Sequence, residues 1–270
     1  MEIHSELLDH RFQLPARCER VICLTSGTTE ALFEMGCGDC VVGVSEYCPR
    51  YVPDLDRPIV GDYLRVDEKV LTDLKPDLIL IAGGIQRSLG LKFARKGLPV
   101  YALPLPNSMY GILENILTTA ALLDRLACGR QLVDKMKRRM GNLERTAPAR
   151  RISVYAELWL GKHLRTIGGT SFIHDTIALA GGTPIFQDHR NAYIKPCLDE
   201  VARHRPEVFL GFSEPEYPVD FPGLLKERGW DRSFKPALIE SNVQRGQNII
   251  HDGFSMLETA SWLQKEFQKL

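Results

Sequence analysis

The chain contains seven cysteines, which are its most reactive side chains and could serve as redox groups or metal ligands. Cys37 and Cys40 form a Cys-x-x-Cys pair, a spacing typical of redox centres and metal sites. No second pair at zinc spacing follows, so a turn after the first helix is the preferred interpretation. The odd number and scattered positions fit no disulfide framework of a small secreted domain, which predicts reduced thiols.

Three further residues are candidate metal ligands. Cys48 directly follows a predicted strand, where a thiolate could ligate a soft metal; the alternative is a buried, idle thiol. Cys197 lies beside a predicted helix start, and one hypothesis has it grip a metal together with Cys48 from opposite lobes. His189 could be an axial ligand or an ordinary loop residue. An iron-sulfur cluster carried by the two cysteines is a further alternative.

Catalytic motifs are absent from the chain. There is no His-Glu-x-x-His, no Gly-x-Ser-x-Gly, no Walker loop and no Gly-x-Gly-x-x-Gly that opens a helix. The sequence therefore predicts a binding protein rather than an enzyme.

Composition narrows the classes of partner. Thirty-four basic residues balance thirty-four acidic ones, so nothing favours a nucleic acid or an acidic membrane. No apolar run reaches the ~18 residues of a membrane span, which predicts no membrane insertion. The first residues lack the apolar run of a signal peptide. The expected location is cytoplasmic, or periplasmic or extracellular if the chain is the mature form of an exported protein.

Apolar runs that do not alternate predict buried parallel strands in the first half. Residues 20–24, 41–44, 78–81 and 99–103 are such runs, and helical stretches lie between them. The second half repeats this plan, since helix, turn and strand in residues 71–80 match residues 201–210 in kind and order. The prediction is an α/β fold of two Rossmann-like lobes with mostly parallel sheets.

One long helix is expected to join the lobes. A helical stretch covers residues 109–127, with Gly129 as its stop, and a charged helix covers residues 130–145. The predicted division is a lobe of residues 1–107, a linking helix of residues 108–128 and a lobe of residues 129–270.

Small-residue turns at strand ends mark the expected ligand site, because open α/β sheets bind ligands at the carboxyl ends of their strands. Two such edges facing one another would form a cleft. Thr25, Ser26 and Thr28 begin a helix, where free N–H groups suit a ligand oxygen, although simple capping is the alternative. Glu157 and Trp159 suit a polar rim and a stacking wall. The other predicted ligand-binding residues are Tyr47, Cys48, Tyr51, Gly83, Gly84, Arg87, Gly169, Thr170, Ser171, Arg190 and Arg245.

The chain resembles the class III substrate-binding proteins, or helical-backbone metal receptors, and within them the cobalamin-binding members. The matching segments are residues 20–24, 29–32, 35–36, 42–45, 75–79, 171–175, 180–182 and 206–208. The phrase Ser-Glu-Tyr-Cys-Pro at residues 45–49 is similar to a segment of cobalamin-binding relatives. The resemblance implies a corrinoid cargo, with haem or an iron siderophore as alternatives.

A membrane permease of the ABC type is the partner that this resemblance implies. Cargo-delivering members usually carry one exposed acid per lobe that meets arginines of the permease. In this chain Asp199, beside Glu200, occupies the second-lobe position, whereas Lys69, beside Glu68, occupies the first. A reversed charge at Lys69 would weaken that attraction.

Overall fold

The computed structural model describes residues 1–270, which divide into two units of similar plan. Unit 1 consists of Met1–Pro106, Tyr110–Met136 and Asp252–Phe254. Unit 2 consists of Asn107–Met109, Lys137–His251 and Ser255–Leu270. None of the helices is both long and apolar enough to cross a membrane.

Unit 1 contains a parallel sheet whose strand order is β5-β4-β3-β6-β7. Its strands are β3 (Val21–Cys23), β4 (Val41–Ser45), β5 (Ile59–Gly61), β6 (Leu78–Ala82) and β7 (Val100–Leu103). A separate antiparallel hairpin is formed by β1 (Glu2–Ser5) and β2 (His10–Gln13). The helices are α1 (Ser26–Glu34), α2 (Glu68–Asp73), α3 (Arg87–Arg95), α4 (Met109–Leu122) and the first part of α5 (Leu126–Thr146).

The apolar runs of this half form the core because both faces of the sheet are covered. Ile22, Ile79, Ile81 and Val100 are completely buried and pack in one cluster. The connections lead from β3 to β4 and β5 on one side and to β6 and β7 on the other. The chain order therefore reverses beside β3, which is where sheets of this kind bind ligands.

Unit 2 is built on a mixed sheet of order β11-β9-β8-β12-β13, with β10 also paired to β8. Its strands are β8 (Ile152–Leu160), β9 (His163–Ile167), β10 (Gly182–Pro184), β11 (Tyr193–Ile194), β12 (Val208–Ser213) and β13 (Ala237–Ser241). The helices are the remainder of α5, α6 (Phe172–Leu179), α7 (Leu198–His204), α8 (Phe221–Glu227), α9 (Trp230–Ser233) and α10 (Met256–Phe267). The strands β8, β10, β12 and β13 are parallel, while β9 and β11 are antiparallel to their neighbours.

The predicted repeat of helix, turn and strand is confirmed in detail. Helices α2 and α7 are each followed by a residue in the left-handed conformation, Lys75 with φ 43° and Arg205 with φ 47°, and then by a proline. The acid after that proline fastens the first strand of its own sheet. Asp77 accepts hydrogen bonds from the backbone N–H groups of residues 19 and 20, and Glu207 accepts one from the N–H of Ser153 at 3.0 Å.

The predicted helix over residues 109–127 is wrong at its end. Helix α4 stops at Leu122, since Asp124 adopts a left-handed φ of 53°, and α5 begins at Leu126. Gly129, expected as a helix stop, lies inside α5. A Cβ atom there would lie 2.5 Å from the Cβ of Ala120, so the glycine permits close approach of α5 to α4. The linking role of residues 108–128 stays a prediction. Residues Tyr110–Met136 belong to unit 1, and the chain enters unit 2 again at Lys137, within α5.

Candidate functional site

The carboxyl edge of the unit 1 sheet is closed beneath its surface by Gln86. This side chain is completely buried where the chain order reverses. Its Nε2 donates to the carbonyl of Leu24 after β3, and its Oε1 accepts from the N–H of Ala82 at the end of β6. Gln86 therefore ties together the two strand ends between which a ligand site is expected. No sequence motif marks Gln86 as part of this edge.

The residues Thr25, Ser26 and Thr28 lie at the start of α1, as predicted. Thr25 is the N-cap residue, but its side chain makes no capping hydrogen bond. An acidic side chain lies nearby, because a Cβ atom on Gly27 would be 2.6 Å from Oδ1 of Asp252. Negative charge beside a helix N-terminus is favourable, so Asp252 uses some of the attraction that an anionic ligand would need. No sequence pattern indicates this contact, because its two residues are more than 200 positions apart.

Cys48 lies below the edge and is fully buried. Its Sγ is 3.2 Å from Oγ1 of Thr29 and 3.2 Å from Oγ of Ser45, and it points toward the carbonyl of Cys23 at 3.9 Å. Burial raises the pKa of the Cys48 thiol, with the two hydroxyl groups opposing that shift. A buried, hydrogen-bonded thiol is the simpler interpretation, and metal ligation by Cys48 stays a prediction that this burial does not favour.

Aromatic rings follow β4 and β5 at the carboxyl edge of the unit 1 sheet, on the side of β3 away from β6. The rings of Tyr47 and Tyr63 are stacked with centroids 4.6 Å apart, and the guanidinium of Arg50 lies 4.9 Å from the centre of the Tyr47 ring. A hydrogen bond joins the Tyr63 phenol to the side chain of Ser26, and burial raises the pKa of that phenol. Tyr51, also predicted, is buried. Tyr63 was missed because it follows the short strand β5, which the apolar pattern did not reveal.

The glycines after β6 make room for leucine side chains. A Cβ atom on Gly83 would lie 2.4 Å from Leu7, and one on Gly84 would lie 2.2 Å from Leu105. Leu7, Ile85 and Leu105 are 39%, 63% and 51% exposed, although large apolar side chains are usually covered. We call these three residues the apolar edge patch. The predicted Arg87 is exposed beside them, and its Nε donates to the carbonyl of Leu7.

In unit 2, Glu157 lies inside the protein rather than at a polar rim. Its side chain is fully buried and receives two hydrogen bonds from Arg228, at 2.6 and 3.1 Å. The hydroxyl of Tyr155 and the indole N–H of Trp159 each donate to it at 2.9 Å. Burial, followed by the nearby Glu157 charge, raises the pKa of Tyr155. Glu157 is satisfied within unit 2 and anchors Trp159.

The carboxyl edge of unit 2 carries aromatic side chains. Trp159 is half-buried near the end of β8, and Tyr217 follows β12 and is 45% exposed. The two strand ends are joined by Glu214, whose Oε2 accepts from the N–H of Gly161 at 2.6 Å. The predicted stacking wall therefore has a candidate second member in Tyr217.

The glycines at the start of α6 serve contact between backbones. A Cβ atom on Gly169 would lie 2.1 Å from the carbonyl oxygen of Gln187, and the N–H of Gly169 donates to the carbonyl of His189. Thr170 donates to the carbonyl of Arg190, while Ser171 caps α6 by accepting from the N–H of residue 173. These contacts account for the small residues without a ligand, and their binding role stays a prediction.

The other predicted ligands lie on loops of unit 2. Arg190 is exposed, and Arg245 forms an ion pair with Glu258 at 3.1 Å. His189 is exposed, with its ring edge-on to Phe186, and Cys197 is the exposed N-cap residue of α7. No group of three or more His, Cys, Asp or Glu side chains in residues 1–270 is arranged to hold a metal ion.

The predicted docking acids differ in their environment. Asp199 is exposed and Glu200 half-buried in the first turn of α7. Glu68, in the first turn of α2, pairs with Lys92 at 2.6 Å and also with Lys96. Hydrogen bonds from these two lysines lower the pKa of Glu68 to about 2. Asp67, the N-cap residue of α2, and Lys69 are both exposed, so this surface of unit 1 carries charges of both signs.

Two α/β units of similar plan, each with small-residue turns at the carboxyl edge of its sheet, are typical of two-lobed binding proteins. The sequence matches the family described as periplasmic binding protein over residues 21–247, and the chain belongs to that family.

Two binding proteins are similar to this chain in amino-acid sequence. It is 24% identical over 254 residues to a vitamin B12-binding protein of Vibrio campbellii, covering 89% of this chain and 90% of that one. It is 26% identical over 205 residues to a cobalamin-binding protein of Halobacterium salinarum, covering 73% of this chain. The match spans about half, 54%, of the Halobacterium protein.

Solved structures share the fold. A possible iron-binding, periplasmic solute-binding protein of Staphylococcus epidermidis has a TM-score of 0.79 at 21% identity, covering 93% of this chain and 99% of that one. A periplasmic haem-binding protein of Vibrio cholerae has a TM-score of 0.77 at 17% identity, covering 92% and 98%. A periplasmic vitamin B12-binding protein of the same species has a TM-score of 0.68 at 21% identity, covering 95% and 100%.

Proposed function

We propose that this chain reversibly binds a corrinoid of the cobalamin type, and that the carboxyl edges of its sheets supply the contacts. The family membership and the names of the relatives in sequence support a metal-containing small molecule. The predicted position of the ligand in a cleft between the lobes stays a prediction. No bond is made or broken in this function.

The observation that carries the proposal is the apolar edge patch. Leu7, Ile85 and Leu105 present large apolar surface at the carboxyl ends of β6 and β7. Exposed apolar patches on folded proteins commonly mark binding sites. The face of a corrin ring is broad and largely apolar, so it would bury these side chains. The stacked Tyr47 and Tyr63 rings, and Trp159 and Tyr217 in unit 2, offer further flat surface.

At the start of α1, the charge of Asp252 favours a corrinoid over a dianionic haem. Asp252 lies beside the start of α1, where the carboxylates of an anionic ligand would otherwise be attracted. Corrinoids of the cobalamin type carry uncharged amides around the ring. Such amides can accept hydrogen bonds there without like-charge repulsion from Asp252.

Haem or an iron chelate is the second candidate, and the tyrosines favour it. A phenolate can ligate haem iron, and Tyr47 and Tyr63 lie at the edge of the unit 1 sheet. Against this, burial raises the pKa of Tyr63, which disfavours its phenolate form. A cluster-carrying role for Cys48 and Cys197 has less support, since Cys48 is fully buried.

Titration of the purified chain with cyanocobalamin, haemin and a ferric siderophore distinguishes these ligands. We expect saturable binding of cyanocobalamin at one molecule per chain, followed by calorimetry. A shift of the haem absorption band on adding haemin, with no heat from cyanocobalamin, would transfer the assignment to the second candidate. Failure of all three ligands would remove the proposal.

Substitution of the apolar edge patch tests the site itself. Ile85→Ala removes three carbon atoms, and half-burial of these by the ligand at ~0.8 kcal/mol each is worth about 1 kcal/mol, or about fivefold in Kd. We expect about 25-fold for Ile85→Ala with Leu105→Ala if the two effects add. Ile59→Ala is the matched control, because Ile59 is 45% exposed but begins β5 at the opposite edge. Equal affinity of both variants would contradict the proposed site.

A role in transport would require a permease that docks on unit 1 differently from the permeases of cargo-delivering relatives. In unit 2, Asp199 is exposed as the resemblance requires, but in unit 1 Glu68 is paired with two lysines next to Lys69. A permease that accepts this chain should therefore present an acidic contact to Lys69 itself. Lys69→Glu should weaken binding to such a permease and strengthen binding to a permease with basic contacts at both positions.

A further inference from the structure

Three of the predicted ligand contacts are arginines, and their surroundings differ. Arg245 already forms an ion pair with Glu258. Arg190 is exposed on a loop of unit 2, where its side chain makes no hydrogen bond or ion pair that would hold it in one position. Arg87 is exposed and also fixed, because its Nε donates to the carbonyl of Leu7 at 3.2 Å. Of the three, Arg87 is therefore the best prepared to receive a ligand.

The bond to Leu7 orients the guanidinium of Arg87. It uses Nε and leaves the two terminal nitrogens, Nη1 and Nη2, without a partner in the protein. These nitrogens form a planar fork that matches two oxygens of a phosphate or a carboxylate. Because the fork is already held, it loses less conformational freedom on binding than a mobile surface arginine would lose.

The carbonyl that holds Arg87 belongs to a fixed part of unit 1. Leu7 lies at the tip of the β1–β2 hairpin, and the next residue, Leu8, is buried in the core cluster of this unit. Two residues before Leu7, the Oγ of the buried Ser5 accepts from the N–H of Ala102 in the edge strand β7 at 3.1 Å. The hairpin therefore covers the edge of the sheet and keeps the Leu7 carbonyl beside Arg87.

The guanidinium lies next to the apolar edge patch. Arg87 follows Ile85 by two positions, and Leu7, whose carbonyl it binds, is itself a member of that patch. The acidic neighbour of Leu7 is Glu6, which forms no ion pair with Arg87. Burial, followed by the Glu6 charge, raises the pKa of Tyr101, so the Glu6 side chain lies on the β7 side of the tip. The charge of Arg87 is thus available to a ligand that rests on the patch.

We propose that Arg87 binds the phosphate of the ligand's nucleotide loop and thereby selects complete corrinoids over corrinoids without that loop. This inference rests on the proposed function and adds a specificity-determining residue to it. Corrinoids of the cobalamin type carry one phosphodiester, which a short linker joins to the rim of the ring. With the ring over the apolar edge patch, a group on its rim can reach the adjacent guanidinium. Arginine stays charged at all ordinary pH values, so the contact does not depend on pH near neutrality.

Three corrinoids that differ at the phosphate test this contact by calorimetry. Dicyanocobinamide lacks the phosphate, cobinamide phosphate carries it without the base, and cyanocobalamin carries both. For the unsubstituted chain we expect similar Kd values for the two ligands with phosphate. Dicyanocobinamide should bind about tenfold more weakly, as expected for the loss of one hydrogen-bonded charge pair at an exposed position. Added salt should reduce this difference, because the pair is exposed.

Variants of α3 distinguish a direct contact from a general effect of charge. Arg87→Gln should bind all three corrinoids with the Kd of dicyanocobinamide and keep its Tm, since Arg87 is exposed. Arg87→Lys keeps the charge but loses the planar fork and the Nε donor, so it should retain only part of the preference. Arg95→Gln is the matched control, because Arg95 is exposed in the last turn of the same helix. It should keep the full preference.

The outcomes separate this inference from the proposed function. Equal binding of cyanocobalamin and dicyanocobinamide by the unsubstituted chain would overturn the role of Arg87 while corrinoid binding stands. An unchanged preference in Arg87→Gln, or an equal loss in Arg95→Gln, would do the same. No binding of any corrinoid would remove the proposed function and the phosphate contact with it. In that case, weaker binding of haemin by Arg87→Gln would assign the guanidinium to a haem carboxylate instead.

Discussion

Removing the charge of Glu157 should be the most damaging single polar change in unit 2. Glu157→Gln keeps the size of the side chain but leaves Arg228, whose side chain is 11% exposed, as a buried cation without its counter-charge. Breaking a buried ion pair in this way usually costs about 3–5 kcal/mol. The substitution also weakens the hydrogen bonds from Tyr155 and Trp159, which at present are made to a charged acceptor.

The expected magnitude can be refined from the neighbours of Arg228. Its guanidinium lies 5.0 Å from the centre of the Trp230 ring, and this cation–π contact remains in the variant. We therefore expect a loss of about 3 kcal/mol, at the lower end of the range. For a unit of this size, that corresponds to a decrease in Tm of about 6–12 °C.

Thermal and urea unfolding of the unsubstituted chain and of Glu157→Gln, followed by circular dichroism, measure this loss of stability. Glu258→Gln is the matched control, because its ion pair with Arg245 has side chains that are 33% and 26% exposed and should contribute about 1 kcal/mol or less. Replacing both Glu157 and Arg228 with apolar residues of similar volume should recover much of the stability. If Glu157→Gln and Glu258→Gln lower the Tm equally, the interpretation of Glu157 as a buried structural charge is wrong.

Three further predictions concern exposed charge, thiols and glycines. The lowered pKa of Glu68 means that its contacts with the lysines stabilise the fold above its ordinary pKa of 4.5, and that this stabilisation is lost as the pH falls toward about 2. Because the contacts are exposed, added salt should weaken them. Glu68→Gln should abolish this salt-sensitive part of the acid unfolding curve. Iodoacetamide should label the exposed Cys197 first and the buried Cys48 only on unfolding, as mass spectrometry would show; early labelling of Cys48 would contradict its burial. Gly141→Ala, in a roomy position of α5, should stabilise by about 0.5–1 kcal/mol, whereas Gly169→Ala should destabilise; equal effects in urea unfolding would contradict the close backbone contact.

Much of the fold could be predicted because it depends on local signals. Unalternating apolar runs identified β3, β4, β6 and β7, and the Lys-Pro-Asp and Arg-Pro-Glu turns identified the repeat of the two sheets. The missed strands are short or have a polar pattern. For example, β5 has three residues, and β9 includes His163 and Arg165 because it is an antiparallel addition to the sheet.

The site was harder to predict because its residues are determined by distant partners. The sequence marked Glu157 as a candidate polar group, but only the fold brings Arg228 against it. The start of α1 was identified as polar, and Asp252 beside it comes from the far end of the chain. Gly84 and Gly169, predicted as ligand contacts, also make room for Leu105 and for the carbonyl of Gln187. The polar residues picked out from the sequence do make specific contacts, but these contacts are with other parts of the protein.

This internal use of polar groups has a consequence for recognition. With Glu157 bound to Arg228, Gln86 bound to strand ends and Cys48 buried among hydroxyl groups, the surfaces left for a ligand are mainly aromatic and aliphatic. Apolar contacts reward area and fit rather than one particular charge, so corrinoids with different lower ligands should bind with similar affinity. Discrimination by this protein should therefore follow the shape of the ring and its amides more than the identity of the metal.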